Sequence, residues 1–338
     1  MSVFLSILLI VGGLIILVKG ADVFVDGSSQ IAKKLNVSER IIGLTLVAFG
    51  TSFPELSISV IAAINKSDGL AIGNVVGSNI LNICGVLGII ALIRPITVSK
   101  PMVKKDIPMG ILATLVLLIL LFDTIFTGDS VNRLTRGDAL ILLLFFAVFL
   151  YYTFYNDSSK FDPSTSLRAQ ESADVERSRN ASVPAKLENY NLTKNIILII
   201  LGLGGVLLGG DFVVRGGIKL AETFGMSHTL IGLTIVSIGT SLPEITTGIV
   251  AILKGKDDIA IGNVIGSSVL NILFILGTAA LITPIILSVN ILIDVILMIV
   301  VTVFLWFTSR SKGQISKEEG IFFLVVYIIY LIYIIHRG

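Results

Sequence analysis

Two glutamates stand 189 residues apart in the same setting, Glu55 closing the run GTSFPE and Glu244 closing GTSLPE. Each lies deep inside a long apolar stretch. Holding a carboxylate there costs roughly 2.5–3.5 kcal/mol or more, which makes such a residue a functional candidate. A structural glutamate bonded to a neighbouring helix is the plain alternative, but two at repeat-equivalent positions are hard to assign to packing. Pro54 and Pro243, one residue earlier, each remove a helical N–H and displace the carbonyl of Gly50 or Gly239. The chain should unwind or kink there, which a membrane tolerates only beside a polar cavity. Thr51, Ser52, Thr240 and Ser241 place hydroxyl oxygens at the same points.

A second pair of blocks follows, AIGNVVGSNILNI from Ala71 and AIGNVIGSSVLNI from Ala260. Asn74, Ser78 and Asn82, and their copies Asn263, Ser267 and Asn271, fall at i, i+4 and i+8 on one helix stripe. Gly73 with Gly77, and Gly262 with Gly266, form seams of small residues that let another helix approach closely. Packing alone could explain the seams, and it does not compete with a binding role. Together the blocks supply carboxylates, hydroxyls, amide oxygens and displaced carbonyls, with no imidazole or thiolate. Hard oxygen donors of this kind suit calcium or sodium and disfavour zinc, copper and iron. One Ca²⁺ would neutralise the two glutamates, and sodium ions could occupy the same oxygens in its place.

The elements that position these residues follow from composition. Of 338 residues, 54% are hydrophobic and only 14% charged, against roughly 25% charged in a soluble domain. The mean hydropathy is +0.96. This predicts an all-α polytopic membrane protein, and a net charge of +2 offers no basic surface for nucleic acid. Cys84 is the single cysteine, so neither a disulfide nor a cysteine-based metal site can form within the chain. Taking ~20 apolar residues per crossing, ten spans are expected near 3–32, 38–64, 69–94, 103–123, 137–155, 194–222, 229–253, 258–283, 286–308 and 320–336.

Lysine and arginine concentrate in the loops that a ten-span count puts on one side, among them Lys33, Lys34, Arg94, Lys100, Lys104, Lys105, Lys254, Lys256, Arg310 and Lys312. By the positive-inside tendency that side is cytoplasmic, with both termini outside. The polar stretch 156–193 reads as a cytoplasmic linker between a five-helix half, 1–155, and a second half, 194–338. Half of the positions match between Arg40–Pro95 and Thr229–Pro284. Five spans separate equivalent points, an odd number, so the second copy enters the membrane from the opposite side. Inverted repeats with a midplane site are a secondary-transporter architecture.

With these motifs the chain resembles the calcium/cation antiporter superfamily, in particular its prokaryotic and archaeal sodium/calcium exchangers, through GTSFPE and GTSLPE, each followed by GN-x-x-GS-x-x-x-N. The resemblance implies the sodium/calcium exchanger fold, ten helices in two inverted five-helix halves. It also implies that Glu55 and Glu244 are the central calcium ligands and contribute to sodium coordination, with Thr51 and Thr240 supplying oxygen to calcium. Ser52, Ser241, Ser78 and Ser267 would build flanking sodium sites, the carbonyls of Ala48 and Ser237 would ligate sodium, and Asn82 and Asn271 would line the middle. The first and sixth helices would slide across the other eight. Asn271 stands where some relatives have aspartate, which removes a third negative charge and argues against potassium co-transport.

The expected activity is Na⁺/Ca²⁺ antiport in the plasma membrane, electrogenic at about three sodium ions per calcium as the family implies, by a single chain with no cofactor and no enzymatic chemistry. Ca²⁺/H⁺ antiport, with protons on Glu55 and Glu244 in place of sodium, is the alternative. An uncoupled calcium channel is a third reading, disfavoured because channels commonly assemble one ring from several subunits.

Overall fold

The computed structural model describes residues 3–121, 132–155, 192–225, 237–286 and 289–337. Apolar runs with no water to satisfy their backbone close every possible hydrogen bond inside helices. The first half contains α1 (Val3–Leu35), α2 (Glu39–Thr51 and Phe53–Ile64), α3 (Asp68–Ile93), α4 (Met102–Asp106 running into Ile107–Leu120) and α5 (Arg136–Tyr155). In the second, α6 (Leu192–Thr223), α7 (Ser237–Thr240 and Leu242–Leu253), α8 (Asp257–Ile282), α9 (Val289–Lys312) and α10 (Lys317–Arg337) follow in the same order. These match the ten expected spans in order and place. Residues 229–236 of the seventh span, and the linker residues 156–191, lie outside the described residues.

Helices α3 and α8 are surrounded almost entirely by protein, whereas α1, α5, α6 and α10 turn much of their surface outward. Phe4, Leu8, Ile15, Tyr151, Ile200 and Leu201 are among the side chains left for lipid. The long helices α1 and α6 pack along each other through glycines spaced by seven, Gly13, Gly20 and Gly27 against Gly202, Gly209 and Gly216. A methyl on Gly20 would lie 2.6 Å from the amide nitrogen of Val206, and one on Gly202 would lie 2.5 Å from that of Phe24. Only glycine permits this backbone approach.

Two-residue strands join the halves at both ends of the bundle. β1 (Ile96–Thr97), after α3, pairs antiparallel with β4 (Gln314–Ile315), between α9 and α10. Its repeat-equivalent β3 (Ile285–Ile286), after α8, pairs with β2 (Arg133–Leu134), between α4 and α5. Aspartates in the first turns of α8 and α3 anchor them, since Asp257 accepts the Thr97 N–H at 2.9 Å and Asp68 accepts the Ile286 N–H at 3.1 Å. The loops α3–α4 and α9–α10 therefore share one face and α4–α5 and α8–α9 the other, as the ten-span topology requires.

Ion pairs fix the fourth helix of each half. Arg40 at the start of α2 meets Asp106 of α4 at 2.7 Å, with each side chain only 5% exposed. Arg337 at the end of α10 bonds both carboxylate oxygens of Asp294 on α9 at 2.9 Å. Asp294 lies near the start of α9, whereas Asp22 and Asp211 lie midway along α1 and α6 and pair with Lys254 and Arg215.

Candidate ion-binding site

The prolines kink their helices and do not unwind them. Ser52 (φ −83°, ψ 13°) and Ser241 (φ −92°, ψ 5°) are the break residues, and each downstream helix starts immediately after, with proline in its first turn. In α2 the bend is 49°. Proline is welcome there because its missing N–H would have had no helical partner. Glu55 and Glu244 fall in these first turns, where the positive end of the helix favours a carboxylate.

Both glutamates are fully buried, and each takes a hydrogen bond from the other half. Ser52 donates to Glu244 Oε1 at 3.0 Å, and its repeat-equivalent Ser241 donates to Glu55 Oε1 at 3.3 Å. Ser241 Oγ lies 3.5 Å from Ser78 Oγ. Ser78 and Ser267 approach Glu55 and Glu244 respectively, and the two carboxylates lie within electrostatic reach of each other. Thr51 is fully buried and donates to Asn263 Oδ1 at 3.0 Å, while Thr240 is also buried.

Helices α3 and α8 each carry a π-turn beside the site, at Leu81–Val86 and Asn271–Leu276. Such turns insert an extra residue and re-aim the side chains around them, often at functional positions. Asn82 and Asn271 lie at these turns and are fully buried. Asn271 donates to Asn79 Oδ1 at 3.0 Å, and Asn79 donates to the Ser268 carbonyl at 3.1 Å.

What remains open includes four acceptor oxygens, beside the unpaired amide nitrogens of Asn82 and Asn263 and the hydroxyls of Ser267 and Thr247 among the described residues. Glu55 Oε2, Glu244 Oε2, Asn82 Oδ1 and Asn271 Oδ1 are buried acceptors without a hydrogen-bond partner among the described residues. Buried polar atoms are normally paired, so four unpaired acceptors in one neighbourhood mark a place for a cation. No group of three or more His, Cys, Asp or Glu placed to hold a metal ion occurs among the described residues. The available set is two carboxylates and neutral oxygens, which fits a hard cation.

Ten of the twelve expected site residues lie at the kinks, at the π-turns or beside the glutamates. The Ala48 carbonyl is less open than expected, since it accepts the Ser52 N–H at 3.0 Å and the Thr51 hydroxyl at 3.4 Å. Ser237 opens α7, and its side chain lies outside the described set. The expectation missed Asn79, whose repeat counterpart is Ser268, so that the repeat itself concealed it. An amide inside an apolar helix was the available signal. Thr247, one turn beyond Glu244 and fully buried with its hydroxyl unpaired, was also missed.

The Gly262–Gly266 seam is used as expected, with α8 backed against α2. A methyl on Gly262 would come within 3.0 Å of the Arg40 carbonyl, and one on Gly266 within 2.5 Å of the Leu44 carbonyl. Gly73 and Gly77 have nothing within 4 Å of the same position among the described residues.

Inverted five-helix halves meeting at a buried, oxygen-lined site define a membrane transporter of the antiporter class. The chain belongs to the sodium/calcium exchanger protein family, which matches residues 5–155 and 194–336. It is 37% identical to the putative antiporter CaxA of Alkalimonas amylolytica over 94% of this chain and 95% of the relative. Identity to the sodium/calcium exchanger MaX1 of Methanosarcina acetivorans is 31%, over 97% of both chains. A solved structure of the sodium-calcium exchanger NCX_Mj, soaked without Na⁺ and Ca²⁺, is similar with a TM-score of 0.80 and 31% identity, covering 98% of this chain and 100% of that one.

Proposed function

We propose that this protein exchanges Na⁺ for Ca²⁺ across the plasma membrane by alternating access, each ion displacing the other from one buried site. The observation that carries the reading is the reciprocal pair Ser52–Glu244 and Ser241–Glu55, surrounded by unpartnered acceptor oxygens. Each half supplies one carboxylate and a hydroxyl to the carboxylate of the other, so a cation bound there holds both halves together. The sodium/calcium exchangers among its relatives support the choice of ions.

In this reading Glu55 and Glu244 carry the charge that one Ca²⁺ neutralises, with Thr51, Thr240, Asn82 and Asn271 completing its oxygen shell. Ser52, Ser241, Ser78 and Ser267, with the carbonyls of Ala48 and Ser237, form the sodium positions beside it. Helices α1 and α6 slide to change access. An empty pair of buried carboxylates is too costly to cross the cycle bare, which is what couples the two fluxes. About three sodium ions would move per calcium, the single chain would be the functional unit, and both termini would lie outside.

Ca²⁺/H⁺ antiport is the second reading, favoured by the same two carboxylates, each of which could carry a proton. The hydroxyls facing them favour sodium, because a proton carrier needs no oxygen cage. Calcium counterflow in proteoliposomes decides between them. Uptake should follow an imposed sodium gradient, and clamping the membrane potential should reveal net charge movement. Uptake that ignores sodium and follows a pH gradient would overturn the leading reading.

A further inference from the structure

A groove of about 520 Å³ lies where the start of α4 faces the end of α9, beside the β1–β4 ribbon, and none of the candidate ion-site residues lines it. It is lined by Lys100 just before α4, by Lys104 and Pro108 on α4, and by Trp306, Ser309 and Arg310 on α9. None of the residues lining it is acidic. Arg310 stacks over the Trp306 ring at 5.1 Å, and the indole N–H of Trp306 donates to the Val103 carbonyl at 3.0 Å, which fixes the ring across the two helices. The Ser309 hydroxyl is fully buried against this groove and has no hydrogen-bond partner among the described residues.

We propose that this groove binds the phosphate of an anionic phospholipid headgroup. Its position is where such a group resides: α9 passes here from lipid-facing Val300, Val303 and Phe307 to Arg310 and Lys312, with a tryptophan at the boundary. Three cations line one groove with no carboxylate among its lining residues, Ser309 has a hydroxyl without a partner among the described residues, and Pro108 and the Trp306 face supply an apolar floor for the glycerol. Basic pockets between helices at this depth suit anionic headgroups. Basic residues that merely set topology need neither a shared groove nor a buried unpaired hydroxyl. The inverted repeat sharpens the point, because the positions equivalent to Lys100 and Lys104 are Val289 and Ile293, so the fold itself does not require the charges.

Native mass spectrometry of the delipidated full chain, titrated separately with phosphatidylglycerol, phosphatidylcholine and inorganic phosphate, tests this. Phosphatidylglycerol should bind at least about tenfold more tightly than phosphatidylcholine, from the added attraction of three cations. Changing Lys100, Lys104 and Arg310 together to Gln should erase that preference. Ser309→Ala, which removes one donor to the phosphate that both lipids carry and leaves the charges in place, should weaken both and keep the preference. A control with Lys33, Lys34 and Lys317 changed to Gln should keep the full preference. Equal retention of both lipids, an equal loss in the control, or displacement of phosphatidylglycerol by inorganic phosphate would each overturn the proposal.

Discussion

Ser52 donating to Glu244 and Ser241 donating to Glu55 are one interaction made twice, once by each half of the chain. Gly266 and Gly77 are also repeat-equivalent, yet one is pressed against the Leu44 backbone and the other has open space among the described residues. The edges diverge in the same way. Lys254, between α7 and α8, clasps Asp22 and Asp26 of α1 at 2.8 and 2.7 Å. At the equivalent positions Asn65 cannot do this, and Asp211 pairs within α6 with Arg215. A ligand set that must serve both directions of access gains from symmetry. The surrounding packing cannot be symmetric in any one conformation, because an inverted repeat open on one face is closed on the other.

Four experiments press on that contrast. Glu55→Gln and Glu244→Gln should each reduce calcium counterflow to the level of empty liposomes, and by the same amount. Transport retained in one of them would show that the halves are not chemically equivalent. Asp106→Ala should cost about 3–5 kcal/mol in detergent unfolding, because it takes from buried Arg40 the carboxylate it meets at 2.7 Å. Asp294→Ala should cost less, since Arg337 is 23% exposed and can reach water.

Gly266→Ala forces the α2 backbone aside and should destabilise by about 1–3 kcal/mol. Gly77→Ala should instead gain about 0.5–1 kcal/mol from helix entropy, and equal melting shifts for the two would remove the packing difference. Smallest of all, Lys254→Ala should cost under ~1 kcal/mol, an effect that shrinks further in high salt because the aspartates are half exposed.

Much of this was legible in the chain. Hydropathy located the spans because lipid forbids any other backbone arrangement, and the 189-residue repeat pointed to the candidate site because carboxylates at that depth have few other uses. What escaped was of another physical kind. The ribbons are two residues long, too short for any alternation to register. Asn79 lies at a position where the repeats differ, and the alternation of Gly13, Gly20 and Gly27 with its α6 copy spreads over lengths that a motif search does not span. The kink was foreseen, but its confinement to one residue depends on how soon the next helix can restart at proline.

The ribbons also have a mechanical consequence. β1–β4 and β2–β3 each join a strand from one half to a strand from the other, one at either end of the bundle. They act as staples, and a machine that rocked one half bodily over the other would have to tear main-chain hydrogen bonds at both faces in every stroke. Among the described residues no ribbon holds α1 or α6, and they run against each other on glycine. On the proposed alternating-access cycle, the stapled body would be the fixed stator and that glycine-faced pair the part that glides.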